Sequence, residues 1–237
     1  MRRLYQTSWH GIPFETFSAL SPRKLPGPEF YSAFYRRLFQ KHTAPEQLDA
    51  KWLHLKRTII RALSERYFPD RATTILSIGC GLGIMEMDLI ARGYSDVHVT
   101  EISDTPLKWL RNVLPAERIH IGAFPAGLPS MLAFDVILLG SADYFLDQRE
   151  LRALLQQARA RIHPHGVAII ISHSLDDISG WRGARETVKS ALRRVRPPAA
   201  QWWGYLRTRS EYKSALRQAG FRVRSDELMD TQTSWQS

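Results

Sequence analysis

The 237-residue chain reads as an α/β protein built on a mostly parallel sheet. Two observations predict this class. Short apolar runs at 74–79, 96–101, 135–139 and 167–172 alternate with helical patterns, and each run is continuously apolar rather than alternating, as in strands covered on both faces. Gly79, Gly81 and Gly83 follow the first run at once and lead straight into a helical pattern at 84–92. Strand, glycine turn and helix in that order make a cradle for a nucleotide-like ligand.

The elements follow in order. Residues 1–28 hold four prolines and the aromatics Tyr5, Trp9, Phe14 and Phe17, and read as an irregular lead too apolar to stay unpacked. Phe30, Phe34 and Leu38 have helical spacing. Ala44-Pro45-Glu46 opens a second helix with Thr43 as its cap, and the apolar face continues through Leu53, Ile60 and Tyr67. Beyond the glycine turn, strands are expected at 96–101, 118–122, 135–139 and 167–172. Helices are expected at 104–113, at 148–162 (ended by His163-Pro164-His165-Gly166), at 181–194 and at 210–218. A strand at 221–228 and a short returning strand at 231–237 close the reading.

Composition narrows the class. No apolar run approaches the roughly 20 residues that span a bilayer, and Met1-Arg2-Arg3-Leu4-Tyr5 has no apolar stretch behind it, so no secretory signal is expected and the setting reads as cytoplasmic. A single cysteine excludes an internal disulfide and any multi-cysteine zinc site. The net charge of +10 is uneven. Residues 1–73 carry 13 Lys/Arg against 6 Asp/Glu, residues 74–180 carry 8 against 12, and residues 181–237 carry 12 against 5. Basic flanks around an acidic middle fit an anionic partner such as RNA, a nucleotide sugar or a phosphorylated lipid; plain solubility is the alternative.

The glycine spacing selects the ligand. Dinucleotide loops place glycines at relative positions 1, 3 and 6, whereas here the sixth position is Ile84. The Gly-Lys-Ser/Thr ending of an ATPase loop is absent as well. Glu101 ends the second strand, and a carboxylate there can accept hydrogen bonds from both hydroxyls of a ribose, which points to a nucleoside.

Four segments in this order carry a family resemblance: Leu76–Gly83, Val97–Ser103, Phe134–Leu139 and Ile162–Val167. Over residues 70–229 the chain resembles the class I S-adenosylmethionine-dependent methyltransferases. The resemblance implies a Rossmann-like sheet of seven strands with helices on both faces, its seventh strand antiparallel and, so near the end of this chain, short. Residues 74–237 would form the methyltransferase domain, behind an N-terminal helical extension or lid at 1–73. The implied cofactor is S-adenosylmethionine, held by Ser77, Gly79, Cys80, Gly81, Gly83, Glu101, Ile102, Ala123, Phe124, Ser141 and Ala142. Three positions depart from the family pattern. Ser77 stands where the family usually has an acid that helps hold the methionine end. No acid follows the third strand, where Phe124 is available to stack on adenine. His165 replaces a glycine.

Methyl transfer from a sulfonium is an in-line displacement, so alignment is much of the enzyme's work, and a hydroxyl or amine acceptor can also need a base. Ligands in open α/β sheets sit beyond the carboxyl ends of the strands. After the fourth strand, Asp143 is a candidate base and Tyr144 a candidate acceptor-positioning group, with capping and packing as the alternatives. After the fifth, His173 is a second candidate base or an ordinary loop residue. Asp176-Asp177 beside His173 would be a metal set, but adjacent aspartates at a helix start read as capping, so no metal is expected. Residues 174–209 read as a substrate-recognition insert, in which Trp202, Trp203, Tyr205 and Arg207 suit stacking on a ring and gripping an anion; core packing is the alternative for the tryptophans. Trp9 and His10 are expected to fold over the same mouth. Three readings remain: methylation of a small molecule or glycan, at oxygen; an RNA methyltransferase using the basic flanks; and a non-catalytic or partner-activated protein with the same fold. The Asn/Asp-Pro-Pro-Tyr/Phe tetrapeptide of base N-methylation is absent.

Overall fold

The computed structural model describes residues 2–175 and 199–227. The chain gathers into two units, each assembled from separated stretches of sequence.

One unit comprises Tyr35–Gly140, Ala160–Ile171 and Glu227–Ser237. Its centre is β4 (Ile75–Ile78), a strand of four buried residues. Paired parallel around it are β5 (Val97–Glu101), β6 (Ile119–Ile121), β7 (Phe134–Gly140) and β8 (Ile162–Ile171), in the order β6-β5-β4-β7-β8. This is the parallel sheet that the continuous apolar runs predict, with five strands among the described residues where seven are expected. Residues 221–227 form no strand, and 228–237 lie outside the described residues, as do the helix expected at 181–194 and Asp176-Asp177. Ile75, Val97, Val99, Val136 and Leu138 build the core with Leu89 of α3 (Ile84–Ala91) and Ile60 of α2 (Ala50–Tyr67).

Several boundaries move for identifiable reasons. The cap of α2 is Asp49, whose carboxylate accepts from the Trp52 N–H at 2.7 Å, while Thr43 uses its own N–H to donate to Gln47. In place of the helix expected at 104–113 there are two 3-10 turns, Thr105–Lys108 and Leu110–Asn112. The fifth parallel strand begins at Ile162, earlier than expected, because Phe134 pairs with Ile162 before a register shift brings Val136 opposite Val167. His163 to Gly166 are therefore accommodated within a strand rather than ending a helix.

The other unit comprises Met1–Phe34, Ser141–Arg159 and Ser172–Asp226. Its N-terminal residues are not an irregular lead. β1 (Arg2–Gln6) pairs antiparallel with β9 (Gln201–Leu206), and β2 (Ser8–Trp9) forms a hairpin with β3 (Ile12–Pro13). His10 and Gly11 close that hairpin, both with positive φ (48° and 66°), as the tightest hairpin turns require. α1 (Pro28–Lys41) runs from this unit into the other. α4 (Gln148–Arg159) and α5 (Arg209–Gln218) meet through Arg152 and Gln218, and α5 begins with a capping box between Thr208 and Glu211. Gly204 permits the closest approach: a Cβ there would sit 2.6 Å from the Tyr144 carbonyl oxygen.

One pair inside the sheet unit ties stability to pH. His98 Nδ1 and His120 Nε2 lie 3.1 Å apart with their rings nearly parallel, and His98 Nε2 lies 3.2 Å from Asp96. Burial pushes both imidazoles below their ordinary value, against the pull of Asp96 on His98, and His98 lowers His120 further. The folded state thus holds the neutral rings, so their contribution is complete above the unfolded value near 6.5 and is lost as pH falls below it. Thermal melts should give a constant Tm above about pH 7 and a falling one below about pH 6.5, and His120→Gln should flatten that fall.

Candidate active site

In the sheet unit the glycine turn joins β4 to α3. Gly79, Gly81 and Gly83 all have positive φ (67°, 56° and 70°), a region that costs glycine little and other residues more. The Gly79 N–H donates to the Thr100 carbonyl at 2.8 Å, which fastens the turn to the end of β5. Glu101, the last residue of β5, holds it from the side: Oε2 accepts from the Gly81 N–H and Oε1 from the Ile102 N–H, each at 2.9 Å. Burial pushes this carboxyl up, and the Gly81, Ile102 and Ser103 N–H groups pull it back. Two backbone bonds leave acceptor capacity on both oxygens for hydroxyls. Beside it Ile102 is 68% exposed, a large apolar side chain left open next to a carboxylate. Phe124, half-buried, and Ala123 follow β6 in the next connection.

Two residues that the sequence reading did not single out border this turn. Tyr35 of α1 lies buried behind it, 3.7 Å from where a Gly81 Cβ would sit, its phenol pushed up by burial and then by Glu101 and Cys80. Glu86, in the first turn of α3, is completely buried, and the Ser77 hydroxyl donates to its Oε1 at 2.5 Å. Its signal in the sequence was a carboxylate in the otherwise apolar run Ile84-Met85-Glu86-Met87. The Cys80 thiol between them is pushed up by burial and by both Glu86 and Glu101, which suits a small packing residue. An apolar face beside a carboxylate with spare acceptor capacity, and a second carboxylate with an orphaned oxygen, fit a nucleoside that carries a cationic end.

In the other unit, Ser141 opens the segment after β7 with φ 69°, a conformation that non-glycine residues rarely hold. A 3-10 turn, Ala142–Phe145, follows. Asp143 within it is fully buried, and its Oδ2 accepts from Ser172 at 2.8 Å and from the Tyr212 hydroxyl of α5. Arg207, also fully buried, lies 3.9 Å from the same oxygen. It donates to the Asp143 carbonyl at 3.0 Å, to the Leu146 carbonyl and to Gln148 at 3.2 Å. Burial pushes the Asp143 carboxyl up, against Tyr212, Ser172 and Arg207. This cluster ties the turn after β7 to β9 and α5. It uses Arg207 on protein acceptors, where the sequence reading had it gripping a ligand, and it encloses Asp143, the candidate base. Tyr212 was the member that reading missed, because only the fold brings α5 to the turn.

Tyr144 and His173 do come together. The Tyr144 hydroxyl accepts from the His173 N–H at 3.0 Å, and their rings stack 6.1 Å apart. Trp202 and Trp203 point to opposite sides of β9. Trp203 stacks on Phe14 at 4.7 Å and adjoins Trp9, which stacks on Phe34. Trp202 sits under the Arg3 guanidinium, with Tyr205 edge-on. Both tryptophans are buried, in keeping with the core-packing alternative, while Trp9, His10 and Tyr205 keep part of their surface open. No group that would hold a metal is found among the described residues, and no described helix is long and apolar enough to cross a membrane.

A sequence profile described as "Methyltransferase domain" matches residues 30–226. No curated protein matches significantly. Among solved structures, a putative O-methyltransferase from Nostoc punctiforme PCC 73102 is similar at 16% identity and a TM-score of 0.56, over 89% of this chain and 60% of that one. The mitomycin 7-O-methyltransferase MmcR is similar at 18% and 0.53, over 83% and 58%. PigF with SAH (S-adenosylhomocysteine) is similar at 22% and 0.51, over 82% and 54%. The chain thus spans somewhat more than half the length of these structures, and the likeness is one of fold.

Asp143→Ala, by removing one partner of a buried charge pair, should cost about 3–5 kcal/mol. Tyr212→Phe, losing one hydrogen bond to a buried carboxylate, should cost about 1–3 kcal/mol. Urea unfolding of both variants measures the difference.

Proposed function

The chain belongs to the methyltransferase-domain family, and from that premise we propose that it transfers a methyl group from S-adenosylmethionine to the oxygen of a small molecule or glycan. The carrying observation is the glycine turn held by Glu101, with Ile102 open beside it. The residues of the turn fit the cofactor, whose sulfonium supplies an electrophilic methyl group. Gly79, Cys80, Gly81 and Gly83 cradle it. Glu101 accepts the ribose hydroxyls, Ile102, Ala123 and Phe124 flank the adenine, and Ser77 lies toward the methionine end. A hydroxyl acceptor that took this methyl group would have to give up its proton. We assign that proton to His173 rather than to Asp143, since Asp143 is enclosed and paired with Arg207. Tyr144, hydrogen-bonded to the backbone of His173, orients it.

Residues 174–209, of which 174–175 and 199–209 are described, serve in this reading as the acceptor-recognition insert, and residues 1–73 as an extension or lid. Trp9, His10 and Tyr205 meet the acceptor's ring, and Trp202, Trp203 and Arg207 frame them. The names of two structural relatives, one an O-methyltransferase and the other described as a putative one, accord with oxygen as the acceptor atom. The basic flanks carry the second reading, an RNA substrate. RNA affinity falling steeply with salt would favour it, and retention no better than background would remove it.

Isothermal titration with S-adenosylhomocysteine should show saturable binding that Glu101→Ala weakens severely; no binding to the wild type would sink the proposal. His173→Ala should leave that binding intact and lower kcat about 100-fold or more.

A further inference from the structure

Among the described residues two carboxylates, Asp143 and Glu86, are fully buried and a third, Glu101, is partly buried, and their partners differ. Asp143 has an arginine, and Glu101 has backbone N–H groups. Glu86 has no cation: its Oε1 takes the Ser77 hydroxyl, only its own backbone N–H adds to that, and its Oε2, like Asp143 Oδ1, has no hydrogen-bond partner among the described residues. An enclosed carboxylate with one oxygen unsatisfied is costly, and a native chain keeps one where something else completes it.

The position of Glu86 says what that something is. It stands three residues beyond Gly83, in the first turn of α3, and Ser77 stands two residues before Gly79, so the pair brackets the glycine turn at both ends. The Cys80 thiol, inside the turn, feels both Glu86 and Glu101. Two carboxylates therefore border one turn, and no salt bridge to either is found among the described residues; Lys56 acts on Glu86 only through its field. That arrangement repels a phosphate and favours a ligand that brings positive charge.

We propose that Glu86 supplies the counter-charge for the cationic amino end of the cofactor, and that Ser77 is the hydroxyl that orients it. A residue from the first helical turn thus takes over a task for which β4 supplies no acid. The inference rests on the proposed function and deepens it. Burial pushes the Glu86 carboxyl up against the Ser77 hydroxyl and its own N–H, as suits a group whose charge is fully compensated only with a cation beside it.

The test compares two probes by isothermal titration: S-adenosylhomocysteine, which carries the amino-acid end, and 5′-methylthioadenosine, which lacks it. Glu86→Gln should weaken S-adenosylhomocysteine about 10- to 100-fold, as expected for loss of a charge-assisted hydrogen bond, and leave 5′-methylthioadenosine within about twofold. The exchanged double variant Ser77→Asp/Glu86→Ser should restore S-adenosylhomocysteine binding. Equal losses for both probes, or no loss for either, would overturn the role of Glu86. Failure of the wild type to bind S-adenosylhomocysteine would instead remove the proposed function on which it rests. Retained 5′-methylthioadenosine binding also shows that a variant is folded.

Discussion

The parallel pairing of β4 with β5 on one side and β7 on the other is the constraint from which the sheet unit follows. Parallel strands send all their carboxyl ends to one edge. With Ile75 opposite both Val97 and Val136, the glycine turn leaves β4 where Glu101 ends β5. The carboxylate therefore meets the Gly81 N–H across two adjacent strands, although the two residues are 20 positions apart in the chain. A slip of that register would carry Glu101 away from the turn and leave both the N–H groups and the carboxylate without partners.

Partner chemistry then sorts the acidic groups. Asp143 leaves its Oδ1 without a hydrogen bond among the described residues, but Arg207 faces it and Ser172 and Tyr212 bond its Oδ2, so its charge is met within the protein and its work is to hold the turn after β7. Glu101 is met by dipoles rather than by a cation, which holds it in place yet leaves it able to accept more. Glu86 is met by the Ser77 hydroxyl and its own N–H, with no cation beside it. Across this series the protein's own compensation decreases, and the capacity to bind something else increases. The same logic separates the apolar side chains: Trp203 packs on Phe14 and Trp9, whereas Ile102 is 68% exposed.

What the sequence determined by itself is local. The run from Thr74 to Ala91 announces strand, glycine turn and helix because strand propensity, φ > 0 at glycine and helical spacing are all short-range properties. Glu101 was legible because it ends a strand of fixed length after that turn, and the apolar stretch at Phe134–Gly140 because a doubly covered strand is apolar throughout. What only the tertiary structure decided is non-local. Arg2–Gln6 becomes a strand because Gln201–Leu206 lies beside it, and nothing within five residues of mixed polarity announces a partner some 200 positions away. Ser77 looked short of an acid until folding brought Glu86 against it, and Asp143 looked available until folding closed Arg207 and Tyr212 around it. The identity of a side chain is written in the sequence; whether its charge is already satisfied depends on which neighbours the fold delivers, and that is settled in three dimensions.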